Sequence, residues 1–363
     1  MKHLISIIVP TYKEAENIPV LIESIDKAMK HSRLDYEVII VDDNSKDGIE
    51  DNVKALKQKG YPVSIKVRIN ERGLSSAVIE GFRQAKGTIY CVMDADLSHP
   101  PEKIPELVEQ IINGKAEFVV GSRFVKGGSA EHFNWYRKLN AWVSKMLARP
   151  FTKIKDPMAG FFAFDAKILT PHILNMLNPL GFKIGLEIIV KCNPRTITEI
   201  PISFRERLFG QSKLSLREQI LYIVHLKRLF HYKYPSLYQF LFFSLIGSTG
   251  MVVDMTTVFV TYGLLHINFK IARAIGFIVA LTWNFFLNRK LTFPDSPQKN
   301  LFIQYRNFFI VCSIGGLFNW FISVYLYSTY PYFKEFYLLA VFIGIMGGLL
   351  INFLGSKYIV FGK

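Results

Sequence analysis

The sequence predicts an α/β domain with a mainly parallel sheet, followed by an all-helical membrane domain. Three observations carry that prediction. Short Val- and Ile-rich runs alternate with helix-like segments in the N-terminal part, charged residues become sparse after about Lys233, and four long apolar stretches fill the remainder. A length of 363 residues suits two to three domains.

In chain order, Ile5–Val9 is the first strand, and the opening MKHLISIIVPTY is too short in its apolar run to be a signal peptide. The soluble half is therefore expected to stay in the cytoplasm. Glu16 to Lys30 follows as a helix, with Ile18, Leu21, Ile22, Ile25, Ala28 and Met29 on one face. Further strands are expected at Val38–Val41, Val63–Val67, Ile89–Met93 and Phe118–Val120, with helical patterns between them. Cys91, Cys192 and Cys312 fit no CxxC spacing, which argues for reduced structural thiols and against a zinc site. A net charge of +15 suits nucleic acid, acidic lipid or a phosphorylated substrate. No nucleic-acid module is recognisable, and the Lys/Arg-rich juxtamembrane region favours lipid.

Ligands of open parallel sheets bind beyond the carboxyl ends of the strands. Here those ends read PTYKEAEN, DDNSKDG and DADLSHPP, three polar or acidic tips on one sheet edge. There is no P-loop and no GxGxxG, so nucleotide phosphates would need another holder. Mg2+ or Mn2+ held by one or two carboxylates is the obvious one. Asp94 and Asp96, two apart on a strand end, can point the same way, and small Ala95 lets a ligand approach. For one D-x-D alone, a solvated strand end opening a helix is the better reading; with three acidic ends the metal is preferred.

Taken in order, IIVPTYKEAENI, VIIVDDNSKD, RGLSSAVIEGFRQAKG, MDADLSHPPE, VGSRFVKGG and GQSKL resemble the family 2 glycosyltransferases, and among them the dolichyl/polyprenyl-phosphate mannose synthases. The resemblance covers the whole soluble half. It implies a GT-A fold and inverting transfer of a sugar from a nucleotide sugar, GDP-mannose, to a polyprenyl (dolichyl) phosphate. It implies that Pro10, Tyr12 and Glu14 contact the base, that Val41 and Asp43, with Asp42 beside them, form the base and ribose pocket, and that Asp94 and Asp96 hold Mg2+ or Mn2+ with Ala95 against the diphosphate. It implies that Arg123 and Arg137 bind the acceptor phosphate, and that Lys183, Arg207 and Lys213 contact diphosphate and sugar. Two positions depart from the family. Ser98 stands where glutamine is common, as a shorter metal ligand acting through water, and Ala141 stands where serine is usual, with Ser144 as its substitute.

The chemistry is coherent on its own terms. A phosphate monoester is already anionic and needs no general base, which suits a chain without an evident Ser/His/Asp arrangement. The protein then has to position two anionic reactants and stabilise the leaving diphosphate, work for Arg and Lys. His99 reads as a helix-start residue rather than a ligand. Asp156–Phe164, DPMAGFFAF, reads either as a turn and core strand or as the family's D-x-x-S/T-G-F segment, with Ala159 in the Ser/Thr place. Arg123 and Arg137 can equally be read as surface charges.

Residues 214–235 read as an amphipathic helix at the membrane surface, between a catalytic domain at 1–213 and a transmembrane domain at 236–363. Spans are expected at about 237–264, 268–288, 302–328 and 334–356. Arg289, Lys290, Lys299, Arg306, Lys357 and Lys363 place the positive side with the soluble domain, so both termini are expected in the cytoplasm. NFFLNRKLTF repeats as NFLGSKYIVF, and GMVVD as GGLFN, which implies two copies of a two-helix unit in one orientation. This half resembles the GtrA-like membrane domains. Asp254, inside a span, is either functional or a helix-packing contact. The bilayer is an expected partner, and self-association into a homo-oligomer is left open. Other readings are a UDP-glucose-dependent transferase on the same lipid, a lipid-linked sugar flippase or carrier subunit without activity, and a processive polysaccharide synthase. The last is disfavoured because Q-x-x-R-W is absent.

Overall fold

A computed structural model of the chain describes residues 3–129, 135–178, 180–181, 183–205, 216–294, 296 and 300–362. The chain divides into two compact units, Met1–Lys233 and Tyr234–Lys363.

The first unit is built on seven strands, Leu4–Thr11 (β1), Asp35–Asp42 (β2), Val63–Val67 (β3), Ile89–Val92 (β4), Phe118–Ser122 (β5), Phe162–Asp165 (β6) and Ile197–Pro201 (β7), in the order β3-β2-β1-β4-β6-β5-β7. Every neighbouring pair is parallel except those made by β6, which runs antiparallel to β4 and β5. The helices are Ile18–Ser32 (α1), Ile49–Gln58 (α2), Leu74–Gln84 (α3), Ile104–Ile112 (α4), Trp135–Ala148 (α5), Pro171–Met176 (α6), Ile184–Cys192 (α7) and Leu216–Lys233 (α8). This is the mostly parallel sheet of a GT-A-like domain, as expected.

Strand alternation divides the core between the two sheet faces. Ile5, Ile7 and Val9 of β1 join α1 and α4 on one face, while Ile8 joins Val78 and Phe82 of α3 and Ile188 of α7 on the other. Helix α1 buries Ile18, Leu21, Ile22, Ile25 and Met29, the stripe that its 3.6-residue period predicts. Helix α3 approaches β1 so closely that a Cβ at Gly81 would collide with Ile8. Entering and along β6, Phe161 and Ala163 face one core and Phe162 and Phe164 the other. Because β6 is antiparallel, the segment entering it, 156–161, lies at the same edge as the carboxyl ends of β1, β2, β4 and β5. That reversal adds a fifth source of side chains to the edge where the acidic tips sit.

Helix α8 packs Tyr222, Leu226 and Leu229 on Leu186 and Val190 of α7 and on Ala148 and Phe151 at the end of α5. The residues expected to be a surface helix thus have one face docked on the rest of the first unit, with Ile220 and Ile223 exposed elsewhere on the helix.

The second unit contains Pro235–Val258 (α9), Phe269–Leu287 (α10), Leu301–Thr329 (α11), Pro331–Glu335 (α12) and Tyr337–Gly355 (α13). Among the described residues, four helical stretches are long and apolar enough to cross a bilayer: Pro235–Leu264, Phe269–Thr292, Leu301–Thr329 and Phe342–Val360. The sequence repeat is visible in the packing. A Cβ at Gly250 of α9 would overlap Asn284 of α10, and a Cβ at Gly315 of α11 would overlap Asn352 of α13. Each second helix runs on into a π-helical turn, Asn288–Thr292 or Ser356–Val360. The phenylalanines that follow, Phe293 and Phe361, stack on each other with centroids 4.8 Å apart. Asp254 faces α10, where a Cβ at Gly276 would crowd its carboxylate.

Candidate active site

Each expected donor-site residue in β1, β2 and β4 lies at the carboxyl edge of the sheet. Tyr12 follows β1, and Lys13 Nζ and Arg72 Cζ lie 5.6 and 5.4 Å from its ring centroid. Pro10 pairs with Val41 in the β1–β2 ladder, and Thr11 with Asp42. Glu14 accepts from Asn17 Nδ2 at 2.6 Å, just before α1. The two aspartates at the carboxyl end of β2, Asp42 and Asp43, do different work. Asp42 is buried and engaged by Thr11 Oγ1 at 3.1 Å and by the Ser45 amide at 2.8 Å. Asp43 forms a buried ion pair with Arg68, whose Nε donates at 2.9 Å, and accepts the Gly73 amide at 2.7 Å. Arg68 also donates to the Gly73 carbonyl at 3.0 Å and to Ser76 at 2.8 Å, so the loop carrying Arg72 is tied to Asp43.

The D-x-D segment follows β4. Asp96 and Ala95 are buried, and Asp94 is partly exposed. The Ser98 hydroxyl and amide both donate to Asp96 Oδ1, at 2.6 and 3.1 Å. His99 is buried and its Nδ1 accepts the Asp94 amide at 3.0 Å. Its ring stacks on Phe161 at 5.4 Å and meets Phe204 edge-on at 5.7 Å. Among the described residues no group of three or more His, Cys, Asp or Glu side chains could hold a metal ion. Two carboxylates, with substrate phosphates completing the shell, are nevertheless the usual donor set for Mg2+ or Mn2+. A Cβ at Gly160 would come 3.5 Å from Asp94 Oδ2, so the absence of a side chain there keeps space beside that carboxylate. The residues present fit such an ion.

Arg123 follows β5 and grips Asp156, with Nε–Oδ2 and Nη2–Oδ1 both at 2.8 Å and its amide on Oδ2 at 3.1 Å. Its guanidinium also lies 5.3 Å from the Phe204 ring centroid. Burial works against the Asp156 carboxylate, but Arg123's hydrogen bonds and charge, with Lys183, outweigh it and hold the carboxyl below its usual range. Lys183 caps α7. Burial first, and then the charge of Arg123, push its ammonium down to about 8 against the pull of Asp156, Asp94 and Glu218. Asp94, Arg123 and Lys183 therefore share one electrostatic neighbourhood. Arg137 and Ser144 both lie on α5, seven residues apart and so on one helix face, and the Ser144 carbonyl accepts Tyr222 Oη at 2.8 Å. Arg207 and Lys213 lie outside the described residues.

Two features escaped the sequence reading. Asp156 is the partner of Arg123, and the only trace of it was the initial D of DPMAGF. Helix α5 is an exposed apolar surface, with Trp135 75% and Trp142 60% exposed and Leu139 and Met146 beside them. Gln219 Nε2 to Tyr136 Oη, 3.1 Å, and the Tyr222–Ser144 bond join α5 to α8.

Comparison with known proteins agrees with this architecture. Glycosyl transferase family 2 matches residues 6–171, and the GtrA/DPMS transmembrane domain matches residues 242–361. A dolichol-phosphate mannosyltransferase of Pyrococcus furiosus is 36% identical over 98% of this chain and 97% of its own length. The chain belongs to the dolichol-phosphate mannosyltransferase family. Relatives of the same name in Saccharomyces cerevisiae and Mycosarcoma maydis are 42% and 41% identical, each over 64% of this chain and over 88% and 80% of their own. Among solved structures, glucosyl-3-phosphoglycerate synthase of Mycobacterium tuberculosis, in complex with Mn2+, UDP and glucosyl-3-phosphoglycerate, superposes with TM-score 0.46 at 19% identity, covering 64% of this chain and 80% of that one. As a member of the dolichol-phosphate mannosyltransferase family, the chain is a glycosyltransferase joined to a membrane-spanning domain.

Proposed function

We propose that the protein transfers mannose from GDP-mannose to dolichyl or another polyprenyl phosphate, with inversion and a divalent cation, at the cytoplasmic membrane face. What carries this reading is the near-full-length kinship with a dolichol-phosphate mannosyltransferase, in a chain whose cationic Arg123 and Lys183 stand in one electrostatic neighbourhood with Asp94 of the D-x-D. Pro10, Tyr12, Glu14, Val41, Asp42 and Asp43 frame the nucleotide, with Ala95 beside its diphosphate. Asp94 and Asp96 would hold Mg2+ or Mn2+, which would supply positive charge to the leaving diphosphate. Arg123, kept in a fixed fork by Asp156, presents its remaining donors to the acceptor phosphate, with Arg137 and Ser144 on α5. Lys183, with Arg207 and Lys213, adds positive charge for the diphosphate and sugar. The lipid phosphate attacks the anomeric carbon as the diphosphate leaves, and no proton has to be removed from the nucleophile.

The apolar faces of α5 and α8, with Lys138, Lys145, Arg217 and Lys227 on the same helices, suit a bilayer surface from which the acceptor is drawn. The test is direct. Membranes containing the protein are incubated with polyprenyl phosphate, Mn2+ or Mg2+, and labelled GDP-mannose or UDP-glucose. Label in lipid from GDP-mannose only is expected. Label from UDP-glucose instead would replace the donor, and no lipid label from either would sink the transferase reading. Asp96→Ala should lower transfer by at least about 100-fold, since it removes one of two carboxylate ligands.

A further inference from the structure

The dipeptide Ser98–His99, one residue beyond the D-x-D, has hydrogen bonds that no step of the proposed transfer uses. We infer that Ser98 and His99 are positioning residues that preset the two aspartates for the divalent cation, and that Ser98 is not itself a metal ligand. The inference rests on the metal reading of Asp94 and Asp96.

The Ser98 hydroxyl is spent on Asp96 Oδ1 at 2.6 Å, and the Ser98 amide points at the same oxygen at 3.1 Å. The residue is fully buried, so the hydroxyl has no water to turn to. Two donors on one oxygen fix the carboxylate rotamer and turn its other oxygen's orientation into a property of the loop. Leu97 makes this possible. Its φ of 61° lies in the left-handed region, an unusual place for leucine, and it folds the Ser98 amide back over Asp96. Asp94 is held through its backbone. His99 Nδ1 accepts the Asp94 amide, which makes Nδ1 the unprotonated nitrogen, and the ring is fixed by its stack on Phe161 and its edge contact with Phe204. The shorter Ser98, which at first suggests a weakened metal shell, is then a different solution: it orients a ligand instead of supplying one. Partners that orient metal ligands typically contribute 10- to 100-fold in metal affinity.

The experiment measures Mn2+ binding to the full chain in lipid nanodiscs with GDP present, by electron paramagnetic resonance, alongside thermal melting. Ser98→Ala and His99→Ala should each raise the Mn2+ Kd about 10-fold. Ser98→Thr keeps the hydroxyl, and His99→Asn places an amide oxygen near the Nδ1 position; both should recover most of the affinity, whereas His99→Gln should not. Ser98→Cys distinguishes orientation from ligation. A positioning serine predicts no change in the ratio of Cd2+ to Mn2+ affinity, and a rise of that ratio by tenfold or more would make Ser98 a ligand and overturn the inference. Unchanged Mn2+ affinity in both alanine variants would overturn it as well, with the metal reading left standing. Absence of Mn2+ binding by the unaltered protein would take down the metal reading and this inference together.

Discussion

Arg123 and Asp156 are 33 residues apart in sequence and meet because β5 and β6 are neighbours. Asp156 is fully buried, and three of its hydrogen bonds come from Arg123 alone. Replacing it with asparagine leaves the guanidinium without its counter-charge in a place where water is scarce. Breaking one side of such a pair costs on the order of 3 kcal/mol. Asp156→Asn should therefore lower stability in denaturant unfolding by about that amount and raise the KM for polyprenyl phosphate more than that for GDP-mannose. Equal KM values to the unaltered protein would separate Asp156 from the acceptor site. At this scale the sequence was informative where chemistry is written locally. D-x-D, the acidic strand ends and the arginine after β5 could all be read directly. Asp156, the Arg68–Asp43 pair and the Ser98–Asp96 bond could not, because a single sequence does not say which distant carboxylate meets which guanidinium, or which way a hydroxyl turns.

Among the elements, β1, β2, β4 and β5 were legible because a buried parallel strand has to be apolar on both faces, and the edge strand β3 because VSIKV alternates apolar and polar residues. Strand β7, Ile197–Pro201, at the other edge, was not, since ITEIP has only two isoleucines, three apart and so out of step with a strand's period of two, and ends in proline. Helix α8 has two apolar surfaces, and its sequence could not say which of them docks on protein. The docked one contains His225, whose Nε2 is buried with no hydrogen-bond partner among the described residues. Burial first, and then the charges of Lys191, Arg228 and Lys183, push its pKa down to about 4. The folded state therefore keeps His225 neutral over a range where the unfolded chain, with a pKa near the usual value of about 6.5, already binds a proton. More protons on the unfolded side means that stability rises with pH between about 4 and 6.5 and falls as pH drops through that window. Between pH 7 and pH 5 the docking of α8 should weaken by about 2 kcal/mol. Hydrogen exchange of the α8 amides at the two pH values measures this, and His225→Gln should flatten the difference. A pH-independent opening of α8 in the unaltered protein would remove the effect.

At the scale of the whole molecule, the decisive feature is the even number of spans in each repeat. A two-helix unit returns the chain to the side it left, so both copies enter the bilayer from the same face. Charge then says which face. The connection after α10 carries Arg289 and Lys290, and Arg306 opens α11, while Lys357 follows α13. The opposite connections carry less: His266, Lys270 and Arg273 near the first, and Lys334 beside Glu335 in the second. Lys and Arg favour the cytoplasmic side of short loops, so the reactive unit, the connection at 288–300 and the C-terminus should all be cytoplasmic. Single cysteines introduced at the exposed Pro294, at Ile267 and at Tyr332, in a background where Cys91, Cys192 and Cys312 are replaced by alanine, test this in right-side-out vesicles. A membrane-impermeant maleimide should label the variants at 267 and 332 from outside, and the variant at 294 only after permeabilisation. The reverse pattern would put the transferase unit on the outer face, away from any cytoplasmic pool of nucleotide sugar, and with it would go the site of transfer proposed for Asp94, Asp96 and Arg123.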